Sequence, residues 1–289
     1  MSKDNFLKDI QKFWPDLAPD ISNVHKYVAK YKNDKIVIKC GGNVLVDPHL
    51  FNNFIEDITI LNRLGLSVVI VHGGGPRIKK KLSELNIESK FIRGLRVTDE
   101  KIIGIVEDVL IKFNKEIVKA LKDKSCNACS ITTKESNIIM VSPERKELGF
   151  VGVPEKIKVN ILNQLTEKKE IPVLAPMGLD NNNQPFNINA DIAAGALAKA
   201  IKSRRLLLMT NVEGVYDKDK NLLTEITSQQ ALEMIKNETI ISGMIPKINT
   251  CIDAVKNGVK GVVIIDGRKP HSILHEIFSD KGAGTLIRE

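Results

Sequence analysis

Short aliphatic runs recur along the chain, and they are too continuous to be half-exposed strands. Ile36-Val37-Ile38, Ser67 to Val71, Ile171 to Ala175, Leu206 to Met209 and Val262 to Ile265 carry few or no polar positions. A strand with one wetted face alternates polar and apolar residues, whereas a strand covered on both faces does not. The stretches between these runs have helical periodicity. Strands alternating with helices, with both strand faces dry, predict an α/β fold: a three-layer αβα sandwich around a mainly parallel open sheet. At 289 residues the chain has room for one large domain or for two lobes sharing a sheet.

Local signals place several boundaries. Asp47 followed by Pro48 reads as an N-cap and a first-turn proline, and Gly65 closes the helix they open. Thr98 is expected to cap a long helix whose first turn holds Asp99 and Glu100, where the helix dipole favours acids. Val109, Phe113, Ile117 and Leu121 would line its inner face. Ile138 to Val141 and Phe150 to Val153 predict a small antiparallel patch. The polar stretch from Asp180 to Pro185 is expected to divide lobes of residues 31–183 and 184–289. Ahead of them, residues 1–30 form an amphipathic preface. Phe6, Leu7, Ile10, Phe13, Trp14 and Leu17 make a helical stripe, Pro15 and Pro19 interrupt it, and Ile21, Val24, Val28 and Tyr31 resume it. Such a stripe needs cover, from its own chain or from a partner subunit.

The formal charge of +8 raises the question of nucleic acid, but Lys and Arg alternate with acids, and aromatics at 4% are too few for base stacking. Lys79-Lys80-Lys81, the densest basic run, falls in a helical pattern beside Glu84 and reads as a solvated face. Excess positive charge better suits small anionic substrates. No apolar run approaches the roughly 20 residues that span a bilayer. No signal core follows Met1-Ser2-Lys3-Asp4-Asn5, so a cytoplasmic location is expected. Cys126 and Cys129 have redox-motif spacing, but without a second close pair a zinc site is unsupported, and no metal ligand is assigned.

Ligands of open α/β sheets gather at the carboxyl ends of the strands, and both glycine clusters fall there. Gly41-Gly42 follows a strand carrying Lys39, and Gly73-Gly74-Gly75 follows one ending in His72. Glycines let backbone N–H groups approach an anion, and a following helix N-terminus adds a favourable dipole. Neither a P-loop nor a Gly-x-Gly-x-x-Gly fingerprint is present. Asp191 opens an alanine-rich helix, as a capping acid does; Lys247, near another helix start, opposes the dipole there and so points to an anionic ligand. Arg96 has the fork to grip a carboxylate, although an ordinary ion pair is its competing reading.

Seven segments in order make the sequence recognisable: Ile38 to Gly42, Val71 to Pro76, Gly94 to Thr98, Glu147 to Gly152, Asn187 to Asp191, Thr210 to Asp217 and Gly243 to Lys247. From about Lys35 onward the chain resembles the acetylglutamate kinases of the amino acid kinase family. The resemblance implies the amino acid kinase fold and ATP-dependent phosphorylation of the side-chain carboxylate of N-acetyl-L-glutamate. It implies that Lys39 and Lys247 bracket the transferring phosphoryl group and that Asp191 orients both. Gly41 and Gly42 would line the phosphate path, and Gly74, Gly75, Arg96 and Asn187 would hold the acceptor. ATP would be the co-substrate, with Mg²⁺ carried by the nucleotide. Residues 31–183 would bind acetylglutamate and form a dimer; residues 184–289 would take ATP.

Two features resemble the arginine-inhibited, hexameric branch. They are the helical preface, an oligomerisation element there, and a C-terminal effector region near 263–285 in which Glu276 and Gly282 match arginine contacts. Val263 stands where some relatives have an effector-binding histidine. Related kinases acting on acetylaminoadipate, aspartate, glutamate or UMP are the alternatives within the class, and a catalytically silent arginine sensor is the alternative outside it. Regulators of the PII type act on some relatives, but no segment here points to one.

Overall fold

The computed structural model describes residues 3–289. Met1 and Ser2, and the side chain of Phe6 in the predicted stripe, lie outside the described residues. Two short helices, α1 (Lys3–Gln11) and α2 (Val24–Tyr31), precede β1 (Lys35–Cys40). Then come α3 (Pro48–Arg63), β2 (Ser67–His72) and α4 (Gly75–Glu84). The small pair β3 (Phe91–Ile92) and β4 (Leu95–Arg96) leads into the long α5 (Glu100–Asp123). Beyond it lie β5 (Ala128–Ile131), β6 (Ile139–Pro143), β7 (Gly152–Ile157), α6 (Val159–Glu167) and β8 (Ile171–Leu174). The hairpin β9 (Met177–Leu179) and β10 (Pro185–Asn187) is followed by α7 (Ala190–Ala200) and β11 (Arg205–Thr210). Short strands β12 (Val215–Tyr216), β13 (Leu222–Leu223) and β14 (Glu225–Thr227) precede α8 (Ser228–Lys236) and α9 (Met244–Lys256). The chain finishes with β15 (Val262–Asp266), α10 (Ser272–Phe278) and β16 (Gly284–Arg288).

Eight strands form the main sheet in the order β14-β16-β15-β11-β1-β2-β8-β5. From β15 to β5 every neighbouring pair is parallel; β16 then runs antiparallel to β15. The alternation of side chains explains the unbroken aliphatic runs. Ile36 and Ile38 of β1 enter a core beneath α3, α5 and α10, while Val37 between them enters a second core beneath α6, α7 and α9. Both faces are dry, as expected of a parallel sheet. β6 and β7 pair antiparallel in a four-stranded side sheet with β9 and β10, which accounts for the predicted patch.

Asp47 caps α3 as read, accepting from the backbone N–H groups of His49 and Leu50 at 2.8 and 3.1 Å. The cap of α5 needs correction. Asp99, not Thr98, accepts from the N–H groups of Lys101 and Ile102. Thr98 is fully buried and donates its hydroxyl to the Arg96 carbonyl, so the acid one residue later takes the cap. Phe113, Ile117 and Leu121 are buried on the inner face of α5, whereas Val109 is only half-buried and packs against a separate cluster with Ile78 and Leu82. The Asp180 loop is the turn of the β9–β10 hairpin, its carboxylate accepting from Asn182 and Gln184. The main sheet runs on past it, β11 pairing along β1.

Ile10, Val24 and Tyr27 of the preface, and Tyr31 just beyond it, pack into the chain's own core, and the Trp14 ring meets Phe278 edge-on at 5.6 Å. Leu17 remains 65% exposed. Among the described residues, no helix is long and apolar enough to cross a membrane. Cys129 lies in β5, where burial pushes its thiol up to about 12, far from a reactive thiolate.

Candidate active site

Lys39, Asp191 and Lys247 meet at the carboxyl end of the sheet. Lys39 comes from the last residues of β1, Asp191 from the first turn of α7 and Lys247 from the N-terminal part of α9. Asn189 caps α7 by accepting from the N–H of Asp191 at 2.9 Å, so the Asp191 carboxylate is not spent as the cap. α7 and α9 lie close because Gly195 offers no side chain; a Cβ there would sit 2.7 Å from Thr250 Cγ2. Lys247 Nζ accordingly donates to Asp191 Oδ2 at 2.5 Å, and Lys39 Nζ stands 3.0 Å from Asp191 Oδ1. The three side chains are only 11–17% exposed.

Burial alone would raise the Asp191 pKa, but the two ammonium groups overturn that and hold its carboxyl well below the usual carboxylate range. Two cations around one anion leave a net positive charge in a poorly hydrated corner. Such an arrangement favours an incoming anion and is geometrically fixed before that anion arrives.

The glycines beside Lys39 are placed by sterics. A Cβ on Gly41 would lie 2.2 Å from Lys39 Nζ, so the ammonium occupies space that any other residue would fill. Gly42 has φ +64°, a left-handed conformation that costs glycine little. Both border a cleft of about 220 Å³ that Gly74, Gly75, Arg96 and Asn187 also line. A second cavity, of about 520 Å³, lies between Asn189 and Lys247, and Asp191 forms part of both walls.

The far end of the cleft carries a buried, fixed cation. Arg96, on β4, is 8% exposed; its guanidinium stacks 4.7 Å over the Phe91 ring. It donates to Ser89 Oγ and to the Gly75 carbonyl. Burial pulls its pKa down from the ordinary guanidinium value, yet so strong a base keeps its charge. Asn187 Nδ2 donates to Thr98 Oγ1 at 3.3 Å, so Thr98 joins the asparagine to the arginine strand. α4 starts at Gly75 with no side-chain cap, leaving backbone donors of its first turn at the cleft.

The nine residues expected to serve catalysis, the phosphate path or the acceptor thus border one cleft and its neighbour, while Glu276 and Gly282 lie elsewhere. They line a separate cavity of about 540 Å³ with Tyr27, Lys30 and Arg205. Glu276 accepts from the Ala283 N–H at 3.0 Å, and burial raises its pKa. Gly282 has φ +68°, and a Cβ on it would press on the Glu276 carboxylate at 2.7 Å. Val263 is buried in β15. Sequence reasoning missed Phe91, Asn189 and the bridging role of Thr98. The Asn-x-Asp spacing marks Asn189 as a cap, but no local signal marks Phe91.

The model of the "Amino acid kinase family" matches residues 34–266. The chain is 57% identical to the acetylglutamate kinase of Pelagibacter ubique, over 95% of this chain and 96% of that protein. It is 43% identical to the acetylglutamate kinase of Rhodospirillum rubrum, over 97% and 95%. Among solved structures it is similar to the N-acetylglutamate synthase of Neisseria gonorrhoeae complexed with coenzyme A and N-acetyl-glutamate, with a TM-score of 0.84 at 23% identity. That match covers 92% of this chain but only 62% of the synthase. Carbamate kinase from Giardia lamblia bound to AMP-PNP has a TM-score of 0.67 at 16% identity, over 89% of this chain and 98% of that one. At these identities the two structures speak for the fold alone.

Proposed function

The chain belongs to the amino acid kinase family and, within it, to the acetylglutamate kinases, and from that premise we propose how its site phosphorylates N-acetyl-L-glutamate. The reaction moves the γ-phosphoryl group of ATP to the side-chain carboxylate, giving N-acetyl-L-glutamyl 5-phosphate in arginine biosynthesis. One carboxylate oxygen attacks the γ-phosphorus while the bond to the β–γ bridging oxygen breaks, and ADP leaves.

The observation that carries this reading is the Asp191 carboxylate held between Lys39 and Lys247. A glutamate-type carboxyl has a pKa near ~4.3, so the nucleophile is ionised at neutral pH and needs no base. The obstacle is repulsion between an anionic acceptor and an anionic phosphate. Two ammonium groups fixed by one carboxylate answer that obstacle by charge and position. Lys39 and Lys247 would hold the transferring group from opposite halves of the chain, and Gly41 and Gly42 would give it backbone room. Arg96, Asn187, Gly74 and Gly75 would hold the acceptor. Mg²⁺ enters as part of the MgATP co-substrate. Asp191 faces the two lysines, and no cluster of three His, Cys, Asp or Glu suited to a metal occurs among the described residues.

Residues 31–183 act as the acceptor and dimer lobe and residues 184–289 as the nucleotide lobe, in the cytoplasm. The cavity at Glu276 and Gly282 supports an arginine effector site: burial disfavours the Glu276 carboxylate, and a bound guanidinium would add to the help it has from the Ala283 N–H and the charges of Arg205 and Lys30. Its wall includes Tyr27 and Lys30 of the preface, so a hexamer built through residues 1–30 would bear directly on it. A PII-type regulator has no supporting feature.

The test is ATP consumption with N-acetyl-L-glutamate, L-glutamate, L-aspartate, N-acetyl-L-aminoadipate and UMP, each with and without millimolar arginine. Turnover confined to acetylglutamate supports the assignment. Activity only with another acceptor moves the substrate, and a folded but silent protein overturns the enzyme in favour of a sensor. Arginine without effect at several pH values removes the effector site.

A further inference from the structure

His72 ends β2 immediately before the three glycines, and its ring is fully buried. Each ring nitrogen has one partner. Nδ1 lies 2.8 Å from the Gly73 carbonyl, which can only accept, so Nδ1 carries the proton. Nε2 lies 3.2 Å from Asn114 Nδ2 of α5, which can only donate, so Nε2 offers its lone pair. The amide cannot be turned round, because Asn114 Nδ2 also donates to the Val173 carbonyl of β8 at 2.8 Å. Phe113 closes the site edge-on, with ring centroids 5.2 Å apart. Burial pushes the His72 pKa down to about 4, which agrees with a neutral ring.

The geometry has a consequence at the cleft. Gly73 donates its own N–H to the Cys40 carbonyl at 2.7 Å, and its carbonyl accepts from His72. The carbonyl of Gly73 and the N–H of Gly74 share one trans peptide plane, in which they point in opposite directions. Holding the carbonyl toward the buried ring therefore turns the Gly74 N–H the other way. Gly74 and Gly75 line the cleft, and no side chain caps the helix that begins there.

We infer that His72 is a positioning residue for acceptor binding: Asn114 fixes its tautomer, its Nδ1–H fixes the Gly73 carbonyl, and the fixed peptide presents the Gly74 N–H to the acceptor. The inference rests on the proposed reaction for its kinetic readout, and on the ring itself for a second one.

The experiment compares wild type, H72F and H72N with acetylglutamate as the varied substrate at saturating MgATP. H72F keeps a ring without a donor. Its KM for acetylglutamate is expected to rise about tenfold, the size of one misplaced hydrogen bond, with kcat and the KM for ATP within about threefold of wild type. H72N places an amide donor near the former Nδ1 and is expected to recover most of that loss. Equal KM values for H72F and H72N, or a loss confined to kcat, overturn the inference. The second readout is ¹⁵N NMR of the histidine rings of the wild-type protein, with His72 identified among the five histidines by the signal missing in H72N. A neutral Nδ1–H ring from pH 5.5 to 8 supports the relay; an Nε2–H tautomer, or titration near ~6.5, overturns it. Failure of wild type to phosphorylate acetylglutamate would refute the functional reading, and the ring tautomer would still decide the relay.

Discussion

His271 Nδ1 lies 2.6 Å from Asp57 Oδ1, and both side chains are more than nine-tenths buried. The pair joins the segment after β15 to α3, with Glu56 nearby and the Ile273 N–H also reaching Asp57. Burial raises the Asp57 carboxyl from 3.8 to about 6, and the hydrogen bond to Asp57 raises His271 above its ordinary 6.5. Both shifts are upward, so the folded chain holds these protons more tightly than the unfolded one. That share of stability is complete below pH 3.8 and is lost as pH rises, first through about 6 and then above 6.5. Thermal unfolding of wild type and D57N at pH 5 and pH 8 checks this. The stability of wild type relative to D57N should fall toward pH 8, by about 2–4 °C in Tm for each kcal/mol lost. A constant or growing difference would refute it.

Removing the charge of Asp191 leaves Lys39 and Lys247 to repel each other. D191N is expected to lower kcat by about 10²- to 10³-fold, the range for one preorganised electrostatic group. Its stability carries a second signature, because the carboxyl of Asp191 is depressed rather than raised. The stabilisation it contributes is present above the ordinary carboxylate value of 3.8 and is lost as pH falls below it. Denaturant unfolding should therefore show wild type ahead of D191N at pH 7, with the gap closing toward pH 3.

Gly41→Ala would put a methyl group where the Lys39 ammonium sits. The clashing atoms are the free end of a side chain, so the fold survives while the lysine is displaced. Steady-state kinetics should show at least a ~10²-fold fall in kcat, comparable to that of Lys39→Ala. Circular dichroism should stay native-like. Near-normal turnover would mean that Lys39 acts from another position.

The two lysines share one partner, so their effects should not add. K39A and K247A are each expected to cost about 10²-fold or more in kcat, and the double variant less than the product of the two. Strict multiplication in a double-mutant cycle would show that the lysines work independently.

The strands were legible because burial on both faces erases polar positions, a signature that Ile36 to Ile38 or Val262 to Ile265 carry in their own residues. Lys39, Asp191 and Lys247 were legible through motifs at strand and helix ends. What escaped depends on partners far along the chain. Thr98 sits where a cap belongs, and only contact with Asn187, 89 residues away, reveals its place at the cleft. Asn114 meets His72 across 42 residues, and nothing around either one announces the other. Phe91 meets Arg96 only because the turn between β3 and β4 folds the arginine back over its ring.

The pairing of β1 with β11 bears on how such a molecule can move. Lys39 and Lys247 belong to parts of the chain whose border is a rank of backbone hydrogen bonds inside a single sheet. A border of that kind has no slack: the halves cannot swing apart like jaws on a linker without breaking the rank. What the sheet does permit is torsion, each strand turning slightly against the next. Small rotations shared over several strands displace the rim most and the seam least. Lys39, at the end of β1, lies beside that seam, where such rotations would be smallest. The Lys39 ammonium would thus keep its place beside Asp191 while the outer strands turn.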